Sequence, residues 1–192
     1  MELLLLRHSI TPGNLKKQYI GATDQPLAPE GEALAREKQA HMPGADALWI
    51  SPMLRCRQTA GILFPQLTPV EIPDLRECNF GDFEGKTWAE IKDHPAYQAW
   101  MGGEEGAALP NGETVAEFYT RCRQGMEQVI EQAFQLGIRR GAVVAHGGTW
   151  MAVLAAYGRP ERVFYEWQPK NCSGFRMEVR REPLELHLLE EL

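Results

Sequence analysis

The sequence has no surplus of basic charge, no long apolar run and few cysteines, and each shortage excludes a class of protein. Twenty Lys and Arg stand against 26 Asp and Glu, a formal net charge of −6. The basic face that phosphate neutralisation demands of a nucleic-acid binder is therefore missing. The longest early apolar run, Leu3–Leu6, stops at Arg7. That is far short of the roughly 20 residues a membrane helix needs, and shorter than a signal-peptide core. Cys56, Cys78, Cys122 and Cys172 form no CxxC pair and read as reduced thiols of a cytoplasmic protein. No HExxH or HxH spacing occurs among the five histidines, so no metal and no cofactor is expected. The GxxxxGK[ST] loop and the GxGxxG fingerprint are absent as well.

What is there reads as one domain over residues 1–192,. A chain of this length buries about 70% of its extended surface and needs no staple to fold. Glu2–Leu6, Ala47–Ile50 and Ala142–Ala145 are short and almost wholly apolar, the pattern of strands buried on both faces; Val70–Ile72 is a weaker case,. Helical patterns alternate with them. Pro29 opens one through Lys38, and Ser51-Pro52 is expected to cap another through Ile62,. Thr114 and Glu117 make a capping box ahead of the stripe Val115, Phe118, Cys122, Met126, Val129 and Ala133, with Gly137 as terminator,. A further helix is expected from about Gly148 to Tyr157. Phe175, Met177 and Val179, then Leu184, Leu186 and Leu188, alternate with polar residues, giving a C-terminal hairpin or edge pair,. The fold class is α/β, a three-layer sandwich with a mostly parallel central sheet, helices on both faces and that antiparallel hairpin.

In such a sheet, ligands bind beyond the carboxyl ends of the strands. Arg7-His8-Ser9 follows the first strand, Ser51 and then Arg55 the second, Leu75-Arg76-Glu77 the third, and His146-Gly147-Gly148 the fourth. Each residue alone has a plain reading as a satisfied core histidine, a surface arginine or a solvated carboxylate. Together on one rim they suggest phosphate chemistry. Guanidiniums match phosphate oxygens. Gly147 and Gly148 ahead of a helix leave room for an anion against backbone N–H groups. A neutral imidazole is a nucleophile and a carboxylic acid a proton donor.

The same residues fall in a longer ordered set: Arg7-His8-Ser9-Ile10-Thr11 with Asn14; Gly21-Ala22-Thr23-Asp24-Gln25-Pro26-Leu27 with Gly31; Ser51–Ala60; Leu75–Gly85; Asn111–Thr114; and Val143–Gly148. In this set the sequence resembles the histidine phosphatase superfamily, the phosphoglycerate-mutase-like enzymes, over nearly its whole length. The resemblance implies that His8 is the phosphorylated nucleophile and Glu77 the general acid and base. It makes Arg7, Arg55 and His146 the phosphate pocket, with His146 cationic, Asn14 as an added donor and Gly147 beside the bound group. Ser9 departs from the usual glycine and puts the close approach of backbone to phosphate in question.

The resemblance leaves three functional readings. A phosphatase acting on a small phosphorylated metabolite comes first, and the Leu75–Gly85 and Gly112–Thr114 segments look most like alpha-ribazole phosphatases. A mutase is the second; the mutases of this superfamily are longer, with inserts that close the pocket. A catalytically silent phosphate-binding module is the third. Substrate choice is expected from the 12–23, 80–88 and 102–111 stretches. Tyr19, Phe83 and Trp88 could wall an apolar or ring-bearing group, although aromatic residues more often belong to the core, and Glu113 could cap the site or merely precede its helix. Tyr165, Trp167 and the C-terminal strands fit either a homodimer surface or a buried edge.

Overall fold

Side chains alternate across a strand, and the first strand uses both of its faces. The structure, a computed structural model, describes residues 1–102, 104 and 106–192. In β1 (Glu2–Arg7) the four leucines Leu3–Leu6 are fully buried. Leu3 and Leu5 join one core cluster, Leu4 and Leu6 the other. Each such burial is worth about 1.5–3 kcal/mol, which is why an unbroken apolar run marks a central strand.

β1 lies parallel to β4 (Arg140–Ala145) on one side and antiparallel to β6 (Gly174–Arg181) on the other. β2 (Ala47–Ile50) runs parallel to β4, and the exposed β3 (Pro69–Glu71) runs parallel to β2. β7 (Leu184–Glu191) pairs antiparallel with β6, and the short β5 (Gly158–Arg159) pairs with β7. The order is β3-β2-β4-β1-β6-β7-β5. The expected mostly parallel sheet with an antiparallel C-terminal hairpin is found.

Two helix pairs complete the layers. After the single-turn α1 (Pro12–Leu15), α2 (Pro29–Gln39) and α3 (Leu54–Leu63) cover the Leu4/Leu6 face with Ala35, Cys56, Ala60 and Leu63. α6 (Val115–Gln135) and α7 (Gly147–Tyr157) cover the Leu3/Leu5 face with Phe118, Cys122, Met126 and Trp150. The capping box is present: Thr114 Oγ1 accepts from the Glu117 amide, and the Glu117 carboxylate accepts from the Thr114 amide. Gly137, at φ +65°, follows the helix end, as αL termination requires.

Two expectations, for Ser51 and Glu113, need correction, and two open alternatives, for Phe83 and Trp167, are decided for the interior. Ser51 does not cap α3; Met53 holds the cap position, and the Leu54 amide donates to Asp24 Oδ1. Phe83 is not a cavity wall. It is buried with Ile91, Tyr97 and Leu109 in a small cluster of its own, beneath the short helices α4 (Trp88–Ile91) and α5 (Pro95–Met101). Trp167 is inside the core, edge-on to Phe175, and so offers no dimer surface; Tyr165 stays exposed. Glu113 neither caps the rim nor stands idle before α6: it pairs with Arg121 at 2.6 Å. Gly103 and Glu105 of the glycine-rich excursion lie outside the described residues. All four cysteines are free and buried. Among the described residues no helix is long and apolar enough to cross a membrane.

Candidate active site

β1, β2 and β4 run parallel, so their carboxyl ends share one rim. Arg7 ends β1 and His8 follows it. The His8 amide donates to Ala145 O, which ties it to the end of β4. The His8 ring is buried, and its Nδ1 lies 2.6 Å from Ser9 O. A carbonyl only accepts, so Nδ1 carries the proton and Nε2 keeps its lone pair. Burial first, then the charges of Arg55 and Arg7, hold the His8 pKa well below its ordinary value; the Ser9 contact opposes them. A neutral, oriented imidazole is what a nucleophile requires.

Ser9 answers the question raised by its side chain. Its hydroxyl donates to Gly31 O in α2 at 2.7 Å, and its amide donates to Thr59 Oγ1 at 2.9 Å. The hydroxyl is spent on anchoring the nucleophile's loop to α2.

His146 stands at the N-cap of α7, with its ring centroid 5.3 Å from that of His8. Arg55 Nε–H points at His146 Nδ1 over 3.3 Å, and His146 Nε2 lies 2.8 Å from Ser51 Oγ. Nδ1 must accept, so Nε2 carries the proton and the ring is neutral. Burial and then Arg55 keep its pKa well below the ordinary value. This geometry favours a neutral His146 over the expected cation, because burial beside a guanidinium disfavours a second positive charge,. Ser51, read as a helix cap, serves as the acceptor for this ring.

Arg55 is fully buried on α3. Besides His146 it donates to Thr23 O at 3.0 Å and Gly21 O at 2.8 Å, so three of its five N–H groups are already engaged. The loop carrying those carbonyls is knotted by Glu84. Its carboxylate accepts from the amides of Gly21, Ala22, Thr23 and Phe80.

Arg7 differs. Nη1 donates to Pro169 O at 3.0 Å, whereas the buried Nε has no partner among the described residues. Glu77 Oε2 accepts from the Gly148 amide and Oε1 from the Cys78 amide, both at 2.9 Å. The expected open amide at Gly148 is thus taken by the carboxylate. A Cβ at Gly148 would stand 2.3 Å from Glu77 Oε1, so only glycine admits this approach. Burial raises the Glu77 pKa, with the two amides and then the arginines opposing it. A carboxyl held protonated above its ordinary range can act as an acid.

Asn14 Oδ1 accepts from the Thr11 amide and from Asn171 Nδ2, both at 3.1 Å, which leaves its own NH₂ as the donor. Asn171 also donates to His8 O at 3.2 Å. The sequence reading missed Asn171, which lies in an irregular stretch before β6 and carries no periodic or motif signal.

Arg7, His8, Asn14, Glu77, Gly147, Gly148 and Asn171 line a cavity of about 600 Å³. Arg55 and His146 are not on its wall and stand behind His8. Farther out, the cavity is walled by Tyr19, Phe80, Trp88, Trp100, Tyr119 and Phe164. Tyr19 and Trp88 thus stand on the cavity wall. The arrangement offers a nucleophilic nitrogen, an unspent guanidinium N–H and a carboxylic acid around one hollow.

Comparison with known proteins agrees. The family described as histidine phosphatase superfamily (branch 1) matches residues 3–191. A solved phosphoglycerate mutase from Thermus thermophilus is 32% identical, covers 100% of this chain and 98% of its own, and has a TM-score of 0.71. The alpha-ribazole phosphatase from Shigella flexneri shares the fold, with a TM-score of 0.82 at 23% identity over 98% of this chain and 96% of that one. "Putative phosphoserine phosphatase 2" of Hydrogenobacter thermophilus is 31% identical over 158 residues, 79% of this chain and 76% of the relative. The sequence match spans both strand-end histidines and the carboxylate between them, and on it this chain belongs to the histidine phosphatase superfamily, branch 1.

Proposed function

We propose that this protein is a phosphatase that hydrolyses a small phosphomonoester through phosphohistidine, without a metal. One observation carries the reading: His8 presents Nε2 with its lone pair, its Nδ1 proton held by Ser9 O, on the same cavity wall as Arg7, whose Nε–H has no partner among the described residues. His8 Nε2 attacks phosphorus while the ester P–O bond breaks. Protonated Glu77 gives its proton to the departing alkoxide. Water then attacks the phosphohistidine, returns a proton to Glu77 and releases phosphate. Arg7, Gly147 and Asn14 are assigned to the phosphoryl oxygens, where charge is spread in the transition state. Arg55 and a neutral His146, expected to bind the phosphate but off the cavity wall with both imidazole nitrogens engaged, are assigned to holding the pocket's shape.

The organic group is proposed to be ring-bearing. The cavity beyond the phosphate end is walled mainly by aromatic side chains, and Lys17 is its one further cation among the described lining residues. That suits a planar base better than the carboxylate of phosphoglycerate, and alpha-ribazole 5′-phosphate is the specific candidate. One or two aromatic contacts, at about 0.5–1.5 kcal/mol each, give a preference between about twofold and about 100-fold in kcat/KM.

The test is p-nitrophenyl phosphate hydrolysis with chelator present, followed by a panel of phosphorylated metabolites. The expected result is undiminished turnover, an acid-labile phosphoenzyme, and preference for ring-bearing esters. Isomerisation of phosphoglycerate outpacing its hydrolysis would replace this reading with a mutase. No turnover of any ester would leave the silent module.

A further inference from the structure

We propose that Arg121, paired with Glu113, is a positioning residue that sets the general acid in place; the inference rests on Glu77 being that acid. Glu77 belongs to no helix or strand. It follows the 3₁₀ turn Pro73–Leu75, and loop segments of this kind have no ladder of their own to fix a side chain within catalytic tolerance. The fixing comes from α6. Arg121 Nη1 donates to Asp74 O at 3.1 Å and Arg76 O at 2.7 Å, and Nη2 donates to Glu77 O at 2.9 Å. Thr149 Oγ1, one residue beyond Gly148, lies 3.3 Å from both Leu75 O and Arg76 O. Four successive carbonyls leading to the acid are thus held from two helices.

The guanidinium is itself held. Glu113 takes it bidentately, Oε1 at 2.6 Å from Nε and Oε2 at 2.7 Å from Nη2, with both side chains about 15% exposed. Glu113 Oε2 also accepts from the Asn79 amide, and the Glu113 amide donates to Asn79 O. Glu113 and Arg121 therefore grip the chain on both sides of Glu77, and their fork geometry is one that lysine cannot reproduce. Neither residue lines the aromatic cavity, though both line a second hollow that also reaches Glu77; the pair acts on the chemistry through the placement of Glu77. A displacement of about 1 Å in a reacting group costs on the order of 10²-fold.

The experiment compares two esters in each variant: 2-phenylethyl phosphate, whose alkoxide needs a proton to leave, and 2,4-dinitrophenyl phosphate, whose phenolate does not. The ratio of their kcat/KM values, which covers only the steps up to phosphohistidine and leaves out its hydrolysis, reports the acid alone. In Arg121→Lys and Glu113→Gln the ratio falls by about 10- to 100-fold, and in a Glu77→Gln background neither change lowers it further. Arg121→Met serves as a harsher version; if it fails to fold, the two milder variants carry the result. Both esters losing kcat/KM together, or the ratio staying as in the parent, overturns the positioning role. If Glu77→Gln itself leaves the ratio untouched, the assignment of the acid fails first and the inference falls with it.

Discussion

His8 and Glu77 are shifted in opposite directions, one towards losing its proton and the other towards keeping it. Activity on an alkyl ester needs His8 neutral and Glu77 protonated. The His8 shift places the acid limb of the pH profile well below the ordinary histidine range. The Glu77 shift carries the alkaline limb above the ordinary carboxylate range. Turnover of 2-phenylethyl phosphate is therefore expected to decline as pH rises through the Glu77 pKa. Glu77→Gln should abolish that decline and lower turnover by about 10²–10⁴-fold; a limb that survives the substitution assigns it to another group. His8→Ala should lose the acid-labile phosphoenzyme altogether, as seen by labelling with a radioactive ester. The meeting of Arg7, His8 and His146 was legible because they stand at strand ends, where chain order predicts convergence; the roles came from the resemblance, and Glu77 lies in the loop beyond β3. The neutral state of His146 was not legible. It depends on Arg55 and Ser51, whose orientations follow from carbonyls and rings that carry no sequence pattern.

Elements place these side chains through their ends. α7 begins at Gly147, immediately behind the Glu77 carboxylate. Gly148→Ala should therefore push Glu77 aside, leaving the fold intact by circular dichroism while alkyl-ester turnover drops by about 10²-fold; unchanged turnover would show that the carboxyl has room to spare. At the start of α6, Thr114→Ala removes the capping box and should cost about 0.5–2 kcal/mol in urea unfolding. The long amphipathic α6 and the alternating β6 and β7 could be read from periodicity. The four-residue α4 and the seven-residue α5 are too short for a period to register. Ser51-Pro52 misled for a different reason: its hydroxyl faced two claimants, and the buried imidazole prevailed over the helix end.

Across the molecule, the buried site makes stability depend on pH. His8 and His146 have pKa values depressed by folding, so the unfolded chain binds protons that the folded one refuses. Their contribution is whole above about pH 6.5, the unfolded value, and is lost as pH falls towards the folded values. The melting temperature should drop between pH 7.5 and 5, and His146→Gln should flatten that slope; a slope that persists unchanged would mean the drop arises elsewhere. Glu77 has the reverse sign: its raised pKa favours the fold below the unfolded carboxylate value and withdraws that support as pH rises. Glu77→Gln should therefore melt higher than the parent at neutral pH.

β1 has a consequence for how the chain comes off the ribosome. It is the earliest strand in the sequence, yet both neighbours that enclose it, β4 and β6, begin only at Arg140 and Gly174. Throughout most of synthesis its four leucines have no sheet to enter. Such distant pairing slows folding and leaves a sticky segment waiting. A nascent chain halted before Arg140 should aggregate or be held by a chaperone.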